Sequence, residues 1–189
     1  PGTRLLTPLA LSRHRCRRRR RDSAADGPSP GSATAAAAFS MDAGSNKLVL
    51  TQRVELHGQA CYDLWLRYVW IAGGGVLPCP PSVVQQGDPT TGVGNIRAVP
   101  GMVREEILRA ERGKFVEYHI KSGPFPVSYH RGRVEFVADG SGATTVTWTC
   151  SYTPLCCCGL VAEGLISWML GACLSNLASR ALESTGNME

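Results

Sequence analysis

Ala143-Thr144-Thr145-Val146-Thr147-Trp148-Thr149-Cys150-Ser151-Tyr152 is the stretch that decides the fold class. Val146, Trp148, Cys150 and Tyr152 fall on one side of an extended chain, and Thr145, Thr147, Thr149 and Ser151 on the other. Side chains alternate across a strand, so this is a strand with one buried and one wet face. After Pro154 the pattern changes. Leu160-Val161-Ala162-Glu163-Gly164-Leu165-Ile166-Ser167-Trp168-Met169-Leu170 opens a run to Leu182, long enough for about six helical turns, with almost no charge until Arg180. Its polar residues Glu163, Ser167, Ser175, Asn176 and Ser179 gather on no single face. Such a helix needs largely apolar surroundings and a broad partner, which a curved sheet supplies.

Working upstream, short β-rich segments are divided by turn residues. Ser82 to Gln86, Val93 to Val99, Met102 to Ala110, Lys114 to Lys121 and Ser128 to Ala138 are separated by Gly87-Asp88-Pro89, Pro100-Gly101, Glu111-Arg112-Gly113 and Gly123-Pro124. Asp139-Gly140-Ser141-Gly142 then leads into the last strand. Spacing this close predicts an antiparallel meander, because parallel neighbours need long crossovers. Leu48-Val49-Leu50 and Val54-Glu55-Leu56 mark a first strand, broken by His57-Gly58. Gln59 to Trp70 carries Cys61, Leu64, Trp65, Tyr68 and Val69 at helical spacing, which predicts a short amphipathic helix. Gly73-Gly74-Gly75 and the prolines at 78, 80 and 81 close it with a loop. The order strand, helix, loop, several antiparallel strands and long final helix is an α+β plan.

The segments Gly92-Val93-Gly94-Asn95-Ile96-Arg97, Val103-Arg104-Glu105-Glu106-Ile107, Pro126-Val127-Ser128-Tyr129-His130-Arg131-Gly132 and Thr144-Thr145-Val146-Thr147-Trp148, in this order before the closing helix, carry a resemblance. The region from Leu48 to Leu182 resembles the START-like superfamily of polyketide cyclases, dehydrases and lipid-transport proteins, also called SRPBCC. The resemblance implies a helix-grip fold, a strongly bent antiparallel sheet around the last helix, with an internal cavity for a hydrophobic ligand. It implies no reaction, since members range from carriers and receptors to enzymes. One domain over 47–184 is expected, after an N-terminal tail over 1–46 and before a short tail over 185–189.

Within that plan, Val103, Glu105, Ile107, Tyr118, His130, Val134, Trp148 and Tyr152 from the strands, and Leu165, Trp168 and Met169 from the helix, are the expected lining of the ligand site. Glu105 sits between Val103 and Ile107 on an alternating strand. Pointing inward, it would be pushed by burial toward its neutral form and suited to acid or base work; facing solvent, it does nothing of the kind. His130 shares its parity with Val134 and Phe136 and is a candidate to hydrogen-bond a ligand or move a proton. Tyr129 takes its place if that strand's register slips by one. A lone histidine is more often a satisfied structural residue, and Tyr118 and Trp148 serve equally as lining or as plain core. The primary expectation is a carrier or sensor of an apolar small molecule or lipid. A cyclase- or dehydratase-like enzyme using Glu105 with His130 or Tyr129 is the first alternative. An adaptor protein is the second, and it would show a large exposed apolar patch.

Charge and cysteine usage narrow the remaining classes. The 189 residues carry a formal net charge of +5, but residues 1–40 hold eight Arg against Asp22 and Asp26, which leaves the body near neutral. A nucleic-acid partner would have to rest on Arg13, Arg15 and Arg17 to Arg21 alone, and runs of this kind are usually solvated tails, so none is expected. Residues 1–40 have no hydrophobic periodicity and should not order. Met41 is the expected ordinary start, with an organelle transit peptide as the alternative for the Arg-, Ser- and Ala-rich leader. Eight cysteines without an even framework point to reduced thiols and a cytoplasmic location. Adjacent Cys156, Cys157 and Cys158 cannot aim at one tetrahedral ion without outside ligands, so no metal is expected there. Beside an apolar helix they suit palmitate and peripheral membrane contact. A membrane span over 160–178 is the competing reading, at odds with Glu163 at that depth. No phosphate loop, nucleotide fingerprint or Ser-His-Asp pattern is present, and no cofactor is expected.

Overall fold

The computed structural model describes residues 44–186 apart from Met102; the expected tails, the Arg run and the question of Met41 lie wholly or largely outside the described residues. Seven strands form one antiparallel sheet in the order β1-β7-β6-β5-β4-β3-β2. They are β1 (Asn46–Val54), β2 (Ser82–Gln85), β3 (Ile96–Val99), β4 (Val103–Glu111), β5 (Phe115–Ser122), β6 (Val127–Ala138) and β7 (Thr144–Pro154). The first strand closes against the last, with Leu48 opposite Cys150 and Leu50 opposite Trp148. Two helical pieces flank the sheet in sequence: α1 (Gly58–Leu64), continued by further helix to Ile71, and α2 (Gly159–Gly186). This is the α+β helix-grip plan, a curved sheet held against a long C-terminal helix.

In β7 the buried side of the expected alternation is seen, with Val146, Trp148, Cys150 and Tyr152 all at most 2% exposed; Ser151, expected on the wet face, is also buried, at 1%. Helix α2 turns Ala162, Ile166, Leu170, Cys173, Leu174, Leu177 and Ala181 toward the core. Their spacings of three and four give one continuous stripe. Each large aliphatic side chain buried there contributes about 1.5–3 kcal/mol, so the stripe ties α2 firmly to the sheet. By length and composition α2 could also cross a membrane. Its stripe instead covers the aromatic interior, which would be left in water if the helix departed.

Two elements differ from their sequence-based expectation. The helix predicted over 59–70 starts as α1 but widens into a π-helical segment, Trp65–Ile71. Ala72 N–H donates to the Arg67 carbonyl at 3.1 Å, a five-residue step. Residues five apart then share a face, and Trp70 joins Trp65 inside, with ring centroids 6.0 Å apart. Both indoles are fully buried. The strand expected from Val93 begins only at Ile96. Before it, Asp88 accepts hydrogen bonds from the N–H groups of Thr90 and Thr91, and Gly92 and Gly94 take left-handed φ of 76° and 80°, a backbone that breaks a ladder.

Candidate functional site

Arg97 of β3 and Glu105 of β4 face each other across the ladder. The Arg97 Nε and a second guanidinium nitrogen each lie 2.7 Å from Glu105 Oε2, with the two side chains only 10% and 13% exposed. The third guanidinium nitrogen donates to the carbonyls of Val69 at 2.9 Å and Trp70 at 2.5 Å. These carbonyls lie in the last turn of the π-helical segment, at the negative end of its dipole; the Val69 carbonyl also accepts from the Ala72 N–H. The guanidinium also stacks 4.0 Å from the Trp70 ring, whose Nε1 donates to Asn95 Oδ1 at 2.9 Å. One arginine thus joins the helical segment, the sheet and a buried carboxylate.

Around this pair stand Tyr118 and His130 from the sheet and Cys173 from α2. Tyr118 is 2% exposed, its hydroxyl accepts from Trp148 Nε1 at 3.1 Å, and burial pushes its pKa well up. His130 stands 5.6 Å from Tyr118 and 6.4 Å from Phe125, ring to ring. Its Nδ1 is buried without a hydrogen-bond partner. Burial brings the imidazole pKa down to about 4, against an opposing pull from Glu105. The thiol of Cys173 on α2 lies within the same electrostatic neighbourhood and is pushed up to about 11, chiefly by burial.

The expected lining residues separate into three groups. Ile107, Tyr118, Val134, Trp148 and Tyr152 are at most 2% exposed and belong to the packed core. Val103, Glu105, His130 and Met169 keep partial solvent access, as do Ile120 beside Glu105 in the ladder and Phe125 beside His130. Leu165 and Trp168 are corrected: they are 36% and 61% exposed on the outer face of α2. The inward stripe through Ala162, Ile166 and Leu170 sets the helix phase, and Trp168, two residues from Ile166, is carried about 200° round the axis. Tyr129 is likewise removed as a substitute for His130, because His130 keeps the parity of Gly132 and Val134 and Tyr129 points to the opposite face. Glu105 does point inward, but as the partner of a buried guanidinium. The lone carboxyl in an apolar pocket that would favour acid catalysis is not what forms.

Among the partly open residues, Val103, Glu105 and Ile120 adjoin in the β4–β5 ladder, and Phe125 and His130 meet ring to ring. The helix packs chiefly on β1, β7 and the helical segment before β2, so the inner face at the start of β4, the end of β5 and the start of β6 is less fully closed. The large interior cavity expected under α2 is occupied in its middle by Trp65, Trp70, Trp148, Tyr118 and Phe136, in contact ring to ring. Two grooves, of about 480 and 420 Å³, lie elsewhere, on the outside of the α1 region around Arg67, Arg180 and Arg112. Among the described residues, no group of three or more His, Cys, Asp or Glu side chains is placed to hold a metal.

Comparison with known families matches residues 70–182 to one described as polyketide cyclase / dehydrase and lipid transport. The chain belongs to this family. Solved structures agree in fold. An NMR structure from Thermobifida fusca has a TM-score of 0.60 at 19% identity, over 71% of this chain and 92% of that one. XoxI from Bacillus cereus has 0.58 at 14%, over 74% and 97%, and norcoclaurine synthase from Thalictrum flavum 0.55 at 18%, over 73% and 87%. At such identities the likeness establishes the helix-grip fold alone. No curated protein matches the chain. Family and fold together make this a hydrophobic-ligand-binding architecture. The START-like resemblance read from the four motifs therefore holds. Arg97, at the end of the first of them, was quoted there without a role; it is the β3–β4 register that sets it opposite Glu105.

His130 supplies a measurable consequence. Its folded pKa lies below the ordinary 6.5, so the unfolded chain binds the extra proton first as pH falls. Stability is full above about pH 6.5 and declines toward pH 4, by an expected 1–3 kcal/mol, roughly. Urea unfolding between pH 4 and 7 should show this slope, and His130→Gln should flatten it.

Proposed function

We propose that this family member binds an apolar small molecule or lipid carrying one polar group, in the crevice between α2 and the β3–β6 part of the sheet. The observation that carries the reading is the buried Arg97–Glu105 pair with the partly open Val103 and Ile120 beside it in the ladder, and His130, with Phe125 against its ring, on the neighbouring strand. Apolar walls with a few fixed polar groups are what small-molecule sites use, burial giving affinity and the polar groups orientation. His130 Nδ1 lacks a partner inside the protein, and an unpaired buried nitrogen is costly. A ligand hydroxyl or carbonyl beside it would relieve that cost.

Norcoclaurine synthase has been crystallised with dopamine and hydroxybenzaldehyde, so a protein of this fold accepts aromatic molecules. Binding is preferred here to proton transfer because Glu105 is engaged by Arg97. The adaptor reading keeps one point in its favour, an exposed apolar stretch on α2, which lies on the opposite side of the helix from the crevice.

Native mass spectrometry of the whole chain purified from a eukaryotic host, followed by solvent extraction, tests the proposal. A stoichiometric apolar molecule that is lost on Val103→Arg is expected. An empty protein that takes up nothing from a panel of lipids and aromatic metabolites would refute it.

A further inference from the structure

The turn between β7 and α2 places three thiols at the foot of an apolar surface. Cys158 N–H donates to the Leu155 carbonyl at 2.8 Å, and Cys156 takes a left-handed φ of 38°. Cys156 and Cys157 are exposed, while Cys158 is partly covered. Above them the outer side of α2 presents Leu160, Val161 and Trp168 at 88%, 66% and 61% exposure, with Leu155 at 47% below. Between Gly159 and Arg180 the helix carries one charged residue, Glu163, which is half-buried. A contiguous apolar surface of this kind in a water-soluble fold marks an interaction site.

We infer that Cys156 and Cys157 are S-acylated with long-chain fatty acids, and that these chains together with the outer face of α2 hold the protein on a membrane surface. The occupant is argued from three features. The thiols sit beside the apolar face, so acyl chains attached there enter the same phase as Leu160 and Trp168. A tryptophan with its ring outward suits the headgroup boundary. The strand register also brings exposed Lys47 and Arg104 to this end of the sheet, on its outer face. Of the nearby acids, Glu105 is paired with Arg97 and Glu106 with Lys121. Cations at the rim of the sheet, at the same end as the acylated turn, complement anionic lipid headgroups.

In the acylation, a cysteine thiolate attacks the carbonyl carbon of a fatty acyl thioester. A new carbon–sulfur bond forms as the donor's breaks, the donor leaves as its thiol with the proton the cysteine gave up, and nothing is oxidised. One acyl chain anchors reversibly, whereas two signals anchor stably, and the thiols and the helix face provide two. The inner stripe of α2 stays in the core, so the protein would lie on the bilayer without spanning it. The inference does not depend on what the crevice holds.

The test feeds an alkyne-tagged palmitate to eukaryotic cells expressing the full chain, with membrane fractionation and neutral hydroxylamine treatment of the labelled protein. Hydroxylamine-sensitive label is expected on the native chain and lost in Cys156→Ser/Cys157→Ser. The membrane-bound share should fall about tenfold in that variant. Leu160→Ser/Trp168→Ser, which leaves the thiols and the inner stripe intact, should lower binding of the chemically acylated protein to phosphatidylcholine–phosphatidylserine vesicles by a similar factor. An unlabelled native chain, or label unchanged in the double serine variant, overturns the inference. So does a dimer in solution that Leu160→Ser/Trp168→Ser dissolves, which would assign the face to a second copy.

Discussion

Gly132→Ala should cost more than about 3 kcal/mol, the upper end of what forcing an extra methyl into a packed core usually does. A Cβ at Gly132 would lie 2.1 Å from Tyr118 Cε1 and 2.2 Å from its Cζ, far inside contact distance. The ring has no simple escape. Its hydroxyl receives the Trp148 Nε1 hydrogen bond, and Trp70 packs edge-on with ring centroids 5.3 Å apart. Against a typical domain stability of 5–15 kcal/mol, such a loss would be plain in urea midpoints or as insoluble expression. If the collision with Tyr118 is the cause, adding Tyr118→Leu should restore part of the loss, giving strong non-additivity between residues in contact. Equal, additive losses would place the strain elsewhere.

Arg97→Leu should be similarly damaging, by about 3–5 kcal/mol, because truncating one member of a buried pair strands the other. Glu105 would be left in a site only 13% open, and the Val69 and Trp70 carbonyls would each lose the hydrogen bond from Arg97. Replacing both residues, as Arg97→Leu/Glu105→Leu, should recover much of the stability, since apolar substitutes often match a buried ion pair. Chemical denaturation of the single and double variants reads this directly. The pair serves the proposed site as well as the fold. A stable double variant that has lost ligand uptake would separate the two roles.

These expectations rest on features that the linear pattern revealed unevenly. The last strand was legible because β7 obeys a strict two-residue alternation with aromatic and sulfur side chains on one face. The divided strands were legible from their turns, and α2 from its length and lack of charge. The phase of α2 was not, because a helix apolar all round gives no signal of which stripe meets the sheet; Leu165 and Trp168 were accordingly expected inside and lie outside. The π-helical widening at Trp65–Ile71 also escaped the 3.6-residue pattern, although it brings Trp70 into the core. Glu105 was expected inward and is inward. Its partner Arg97 sits on another strand, and their opposition depends on a β3–β4 register that no local pattern states. His130 was placed by parity with Val134 and Phe136, and the irregularity in β6 falls before it, between Val127 and Tyr129, leaving the parity intact.

The central claim is that an apolar ligand enters beside Arg97, Glu105 and His130, and its location is the quantity to measure. Photo-crosslinking of the intact chain with a diazirine-bearing fatty alcohol, followed by peptide mapping, reads that location. The account predicts saturable adducts on Val103, Ile120, His130 or Met169, competed by unlabelled alcohol. Adducts confined to the grooves around Arg67, Arg112 and Arg180, or labelling that never saturates, would contradict it.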